Sequence, residues 1–395
     1  MDLLLRAATL AAVAGMMASA GSAHAARAYI GTYTPNLADP TAYASGTGEG
    51  IYLVNVDDAT GALSGLKLVA KDRSPAWLVL SADNRFLYAI NEIDIHGPGK
   101  SGSVTAYAVD AKSGALRKLN TVDSGGAMPC YISIHASGKF ALVANYAGGS
   151  FSVIPIKADG SLGEATDVVK PVGPASSASA VDAPPGQGRA QTGRNTRGHM
   201  IASDPSGQYV VGDDAGRDRI FVWKLTTTGK LSEVSVTNAL AGSAPRHFGF
   251  SPDGKTLYQI GEYNVRLTTY DFAGGRLTPK GPSLSALPDG YRGSASASRL
   301  LVSADGKHVY SANRTHNSIA TFAVGAGGIP TKVATTSTEG EHPRSLTIDP
   351  AGKFFYSLNL RANNIATFRL DPRGVPKFTG TFLAVGAPAV MVFLP

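Results

Sequence analysis

Residues 303–313 read SADGKHVYSAN: a small residue, a turn closing on Gly306, then β-branched and aromatic residues ending on Asn. The phrase returns as SADNRFLYAIN (81–91), IHASGKFALVAN (134–145), SDPSGQYVVGDD (203–214), SPDGKTLYQIGE (251–262) and IDPAGKFFYSLN (348–359). The turn positions Asn84, Gly138, Gly207, Gly254, Gly306 and Gly352 are spaced 54, 69, 47, 52 and 46 residues apart. Hairpin chemistry repeating near every 50 residues is the signature of propeller blades. A propeller gathers equivalent positions of all blades around one axis, so the repeat also says which distant residues meet.

Six copies are complete, and the two chain ends supply a seventh. The start, AYIGTYT followed by GIYLVNVD, reads like the later half of a blade, and the end, VGAPAVMVFLP, reads like an opening strand. Joining them in one blade leaves no unpaired sheet edge at the seam. The predicted fold is therefore an all-β, seven-bladed β-propeller over residues 26–395, closed by its own termini. The longest interval holds an insertion over about 171–197, rich in Pro, Ala, Ser and Gly and without periodic hydrophobicity, expected to be a mobile loop. It ends just before His199, beside the expected channel mouth.

Composition agrees with many short strands: 46 Gly, 23 Pro and only 16% charged residues in 395. The net charge of +7 comes without any Lys/Arg run interleaved with aromatics, which argues against nucleic acid and for attraction of small anions. Residues 1–25 read as an export signal: Arg6, an apolar run over 7–20, and Ala23-His24-Ala25 before the cleavage point. That run is short for a membrane span and no basic stop-transfer cluster follows it. The mature protein is thus expected in the periplasm or secreted, without a stable membrane span. The sole cysteine, Cys130, excludes an internal disulfide and reads as a small buried thiol.

In each blade the first strand lines the channel and the second returns after the turn. The start of one and the end of the other therefore share a face. Eight residues before each turn stand Ala76, Cys130, His199, Arg246, Ser298 and Arg344, with Ala389 as seventh member. One residue later come Trp77, Tyr131, Met200, His247, Arg299 and Ser345. Eight residues after each turn stand Glu92, Tyr146, Ala215, Glu262, Arg314 and Leu360. The position before these is almost uniformly Asn or Asp (Asn91, Asn145, Asp214, Asn313, Asn359), which marks strand-end turn makers rather than chemistry.

Chemistry belongs where the blades differ. His199, Glu262, Arg246 and Arg314 form the candidate catalytic set, with Arg344, Tyr146, Glu92, His247, Arg299 and Tyr131 as candidate substrate contacts. An imidazole and a carboxylate flanked by guanidiniums can move a proton and hold an anion. No metal-ligand spacing, phosphate loop or G-x-S-x-G nucleophile elbow is present, so no metal and no cofactor is expected.

The motifs YIGTYT with GIY, VANYAGGSFSV, GHMIASDPSGQYVVGDDAGRDRI, APRHFGFSPDGKTLYQIGE, VYSANRTHNSIATF and HPRSLTIDPAGKFFYSLN, in this order, resemble the seven-bladed propeller lactonases. That family includes propeller-type 6-phosphogluconolactonase and the related carboxymuconate lactonizing enzymes. The resemblance runs over 29–395. In its lactonizing branch a His opens one inner strand, an Arg and a Glu follow in the next blade, and an Arg in a later one. By motif these fall on His199, Arg246, Glu262 and Arg314. Tyr131 stands where the family often has His, and Arg299 and Leu301 replace a commonly found Glu and His. The resemblance implies metal-independent hydrolysis of a small sugar-type or acidic lactone to its hydroxy acid. A cycloisomerase acting on a muconate-type dicarboxylate and a non-catalytic binding platform for an organic acid remain open alternatives.

Overall fold

The computed structural model describes residues 26–36, 45–97, 99–173, 180–186 and 195–394; the expected leader over 1–25 lies outside them. Seven antiparallel sheets are arranged as blades, six of them with their strands in chain order from the axis outward. In the closing blade the innermost strand is the last of the chain, Pro388–Leu394, followed outward by Ala26–Thr32, Gly50–Val56 and Leu63–Lys71. Tyr29 pairs with Val392 and Ile30 with Met391. The ring is thus sealed by strand pairing between the termini, as the sequence predicts. Blades one to six follow in chain order over 75–123, 129–169, 198–238, 245–285, 297–337 and 343–384. Blade four adds the short strand Leu284–Ser285.

Each repeated phrase forms the turn between a blade's first and second strands. Asn84 has φ 57°, and Gly138, Gly207, Gly254, Gly306 and Gly352 have φ from 68° to 71°. This is the left-handed region in which Gly and Asn carry the least steric cost. The strands that follow are buried on both faces, as Phe140–Asn145 and Phe354–Asn359 show. That is why they read as near-continuous apolar runs.

Neighbouring blades are stitched by tyrosines. Tyr29, Tyr88, Tyr258, Tyr310 and Tyr356 each donate a hydroxyl bond to a turn carbonyl of the next blade, at Gly114, Gly160, Gly328, Gly374 and Gly61 (2.8–3.1 Å). A phenol is apolar enough for the interblade core and still satisfies a buried carbonyl.

Of the insertion over 171–197, residues 174–179 and 187–194 lie outside the described ones, and the segment 180–186 contacts the body of the ring. The Val181 N–H donates to the Ala241 carbonyl (2.9 Å), the Gly293 N–H donates to Pro185 (2.6 Å), and Asp182 lies 4.0 Å from Arg266. Among the described residues no helix is long and apolar enough to cross a membrane.

Candidate functional site

At one mouth of the axis two rings of side chains are locked side by side by one repeated backbone bond. The N–H of Glu92, Tyr146, Ala215, Glu262, Arg314 and Leu360 donates to the carbonyl of Ser74, Met128, Arg197, Ala244, Ser296 and His342, at 2.7–3.0 Å. Tyr33 makes the equivalent bond to Ala387 (3.0 Å) and is the seventh member of that ring. It escapes the residue count because its blade has no hairpin turn there; the connection is the chain's two ends.

The strand register explains why the inner residues face the axis. In every blade the pairing slips at the start of the first strand, between Pro129 and Tyr131, Gly198 and Met200, Pro245 and His247, and Pro343 and Ser345. Cys130, His199, Arg246 and Arg344 are thus the extra residues of β-bulges, which re-aim a side chain away from strand alternation.

The strand-end asparagines do the structural work expected of them. Asn91, Asn145, Asn313 and Asn359 donate side-chain bonds to the carbonyls of Arg73, Ser124, Ala286 and Thr338 (2.8–3.0 Å). Asp214 instead accepts the N–H groups of Arg197, Gly216 and Arg217, which pins the chain just before His199. At Gly261 a side chain would collide with Asn264, whose amide fills that place.

These devices surround a cavity of about 700 Å³. The structure brings His199, Arg246, Glu262, Arg314, Arg344, Glu92 and Tyr146 together in its wall. Glu262 Oε2 lies 3.4 Å from Arg246 Nε, and Glu262 Oε1 accepts a hydrogen bond from Arg314 Nη2. Arg246 also donates to the Ser298 carbonyl. A second carboxylate–guanidinium group sits opposite: Glu92 accepts the Tyr33 hydroxyl (2.7 Å), lies 3.5 Å from Arg344, and Arg344 Nε donates to Tyr33 (3.1 Å).

The two carboxylates titrate in opposite directions. Burial pushes Glu262 up, but Arg314 and Arg246 together hold it below the ordinary glutamate value. Burial pushes Glu92 above it, and Arg344 and Tyr33 recover only part of that shift. His199 is driven well below the usual histidine value by burial and then by Arg246, Arg344 and Arg314, so its imidazole is neutral at pH 7. Its Nδ1 is 3.8 Å from Cys130 Sγ and its ring meets Tyr146 edge-on at 5.5 Å, which leaves Nε2 for the cavity. Cys130 is buried, donates to the His199 carbonyl (3.3 Å), and is pushed up by burial, the setting of a structural thiol.

Tyr131, His247 and Arg299 are not lining residues of this cavity. They stack with Trp77 on the axis: Trp77 and Tyr131 rings at 4.5 Å, His247 at 5.3 Å from Trp77, and the Arg299 guanidinium 4.7 Å over Trp77. His199 touches the stack through His247 at 5.4 Å. The residue count did not reach Arg197 and Arg73, which do line the cavity. Arg197 donates to the Tyr146 hydroxyl (2.8 Å) and lies over its ring. Its signal was its place two residues before His199. Among the described residues no His, Cys, Asp and Glu cluster is suited to hold a metal ion.

The arrangement supplies a neutral imidazole, an ionised carboxylate and guanidiniums in one buried cavity, a set suited to proton transfer beside a developing oxyanion. The family model described as Lactonase, 7-bladed beta-propeller, matches residues 27–393. The chain is 34% identical over 325 residues to the 6-phosphogluconolactonase of Bacillus subtilis (strain 168), covering 82% of this chain and 84% of that protein. It is 29% identical over 315 residues to the 6-phosphogluconolactonase of Formosa agariphila, covering 77% and 83%. The solved structure of the Pseudomonas aeruginosa periplasmic gluconolactonase superposes with a TM-score of 0.81 at 29% identity, covering 93% of this chain and 98% of that one. With its terminus-sealed ring and axial cavity, this chain belongs to the seven-bladed β-propeller lactonase family.

Proposed function

We propose that this protein hydrolyses a small sugar-type or acidic lactone to its hydroxy acid. The observation that carries the reading is Glu262 held between Arg246 and Arg314 in the same cavity as a neutral His199. Both Glu262 oxygens face guanidiniums, so the carboxylate serves to position Arg246 and Arg314. His199 is the group with a free nitrogen. It takes a proton from water as the water oxygen bonds to the lactone carbonyl carbon. Arg246 and Arg314 stabilise the resulting oxyanion. As the ring C–O bond breaks, the imidazolium returns the proton to the leaving oxygen.

The test is a lactone panel read by acid release at controlled pH. His199→Ala and Glu262→Gln should each lower kcat/KM by about 100- to 10,000-fold while remaining folded by circular dichroism. Glu262→Gln should also lower the unfolding midpoint, because Arg246 and Arg314 lose their buried carboxylate. Full activity in both variants rejects the assignment. Because ring opening by elimination releases a proton as hydrolysis does, product analysis separates the two. An unsaturated dicarboxylate formed without addition of water, instead of the hydroxy acid, identifies the cycloisomerase reading.

Export is part of the same proposal, supported by the leader pattern and by a structural relative described as periplasmic. A phosphorylated sugar lactone is a cytoplasmic metabolite, so a non-phosphorylated aldonolactone or another acidic lactone fits better. N-terminal sequencing of the native protein should begin at Ala26. A cytoplasmic protein retaining residues 1–25 contradicts export.

A further inference from the structure

The axial cavity continues sideways. A second cavity of about 620 Å³ lies between the closing blade and blade one, and the two share Thr34, Pro35, Arg73 and Ile93 in their walls. Lys71, at the end of the strand Leu63–Lys71, Arg73 in the connection that follows, and Lys118 on the outer strand Leu116–Asp123 supply its cations. All three are exposed. Among the described residues none of their charged heads has a hydrogen bond or ion pair.

The carboxylates on this wall are Asp72 and Glu49. Asp72 is already engaged: it accepts the Tyr107 hydroxyl (2.6 Å) and the Arg73 N–H (2.9 Å), tying the two blades together under the groove. Three cations therefore stand against two carboxylates, one of them fixed in place by these bonds, and the groove keeps a net positive charge. By contrast Arg246, Arg314 and Arg344 in the axial cavity already face Glu262 and Glu92.

Pockets of about 300–1,000 Å³ hold drug-sized ligands, so the joined pair exceeds what one sugar lactone fills. We propose that the groove is a second subsite and that the substrate is an acidic disaccharide lactone. Its lactone ring reacts in the axial cavity, while a linked sugar acid places its carboxylate among Lys71, Arg73 and Lys118. This rests on the lactonase reading of the axial cavity.

The test reads binding of ring-opened products, so it needs no turnover. Calorimetry compares gluconate with gluconate carrying a glucuronosyl residue. The acidic disaccharide should bind about tenfold more tightly at low ionic strength, with the advantage shrinking as salt is added. In Lys71→Ala/Lys118→Ala the two affinities should fall within about threefold of one another. Equal affinities in the wild type, or an advantage that survives the double substitution, overturns the subsite. Either result leaves the lactonase reading to the His199→Ala assay, which reports on it separately.

Discussion

At the scale of single residues, a repeat that fixes position in the ring also fixes chemistry. Counting from the turns places His199, Arg246, Glu262, Arg314, Arg344, Glu92 and Tyr146 in one cavity wall. One step further along, Tyr131, His247 and Arg299 pack around Trp77 instead of lining that wall. The Asp213–Asp214 pair shows a similar split. Asp214 is the expected turn maker, whereas Asp213 is fully buried with neither carboxylate oxygen hydrogen-bonded. Burial, and then Asp214, push Asp213 well above the ordinary aspartate value. A raised folded-state value means that the unfolded chain releases this proton first as pH rises from about 4. The wild type therefore loses stability from that pH up through the folded-state value. Asp213→Asn, nearly isosteric and never charged, should match the wild type near pH 3.5 and exceed it at pH 7 by about 1 kcal/mol or more. Urea titrations at the two pH values check this. A variant no more stable than the wild type at pH 7 means that Asp213 is ionised and paired.

At the scale of elements, the blades were legible because turn chemistry and β-branched runs recur together. The joints between them were not. A tyrosine four residues after the turn, as Tyr88, Tyr258, Tyr310 and Tyr356 are, looks like any buried strand aromatic. Its partner is a glycine carbonyl 64 to 295 positions away, visible only once the blades are side by side. Tyr310→Phe keeps the ring and removes the bond to Gly374 (2.8 Å). It should cost about 1–3 kcal/mol, the penalty of leaving that buried carbonyl without its donor. Tyr310→Phe combined with Tyr88→Phe, in blades far apart, should cost the sum to within about 0.5 kcal/mol. Chemical denaturation of the three variants gives the comparison, and a neutral Tyr310→Phe shows that water replaces the phenol.

At the scale of the whole molecule, seven blades function as one object only while the ring stays shut. The seal is the strand Pro388–Leu394, whose Ala389, Val390, Met391 and Leu394 are buried and whose backbone pairs with Ala26–Thr32. The same segment carries Ala387, whose carbonyl accepts the Tyr33 N–H, and Tyr33 in turn holds Glu92 and Arg344. Closure and the cavity wall are therefore linked through one residue. Removing 385–395 should expose the edge of Ala26–Thr32, release Tyr33, and leave a protein that aggregates and lacks activity. Burying the lost strand is worth several kcal/mol at about 25 cal/mol per Å² of apolar surface, a large share of a typical domain's net stability. A synthetic peptide of residues 385–395 offers the missing backbone partners and side chains together, so it should restore both solubility and activity by strand addition. A truncated protein that keeps its unfolding midpoint without the peptide breaks the link between closure and site. The same peptide with Pro in place of Val390 and Val392 lacks two backbone donors and should fail to rescue.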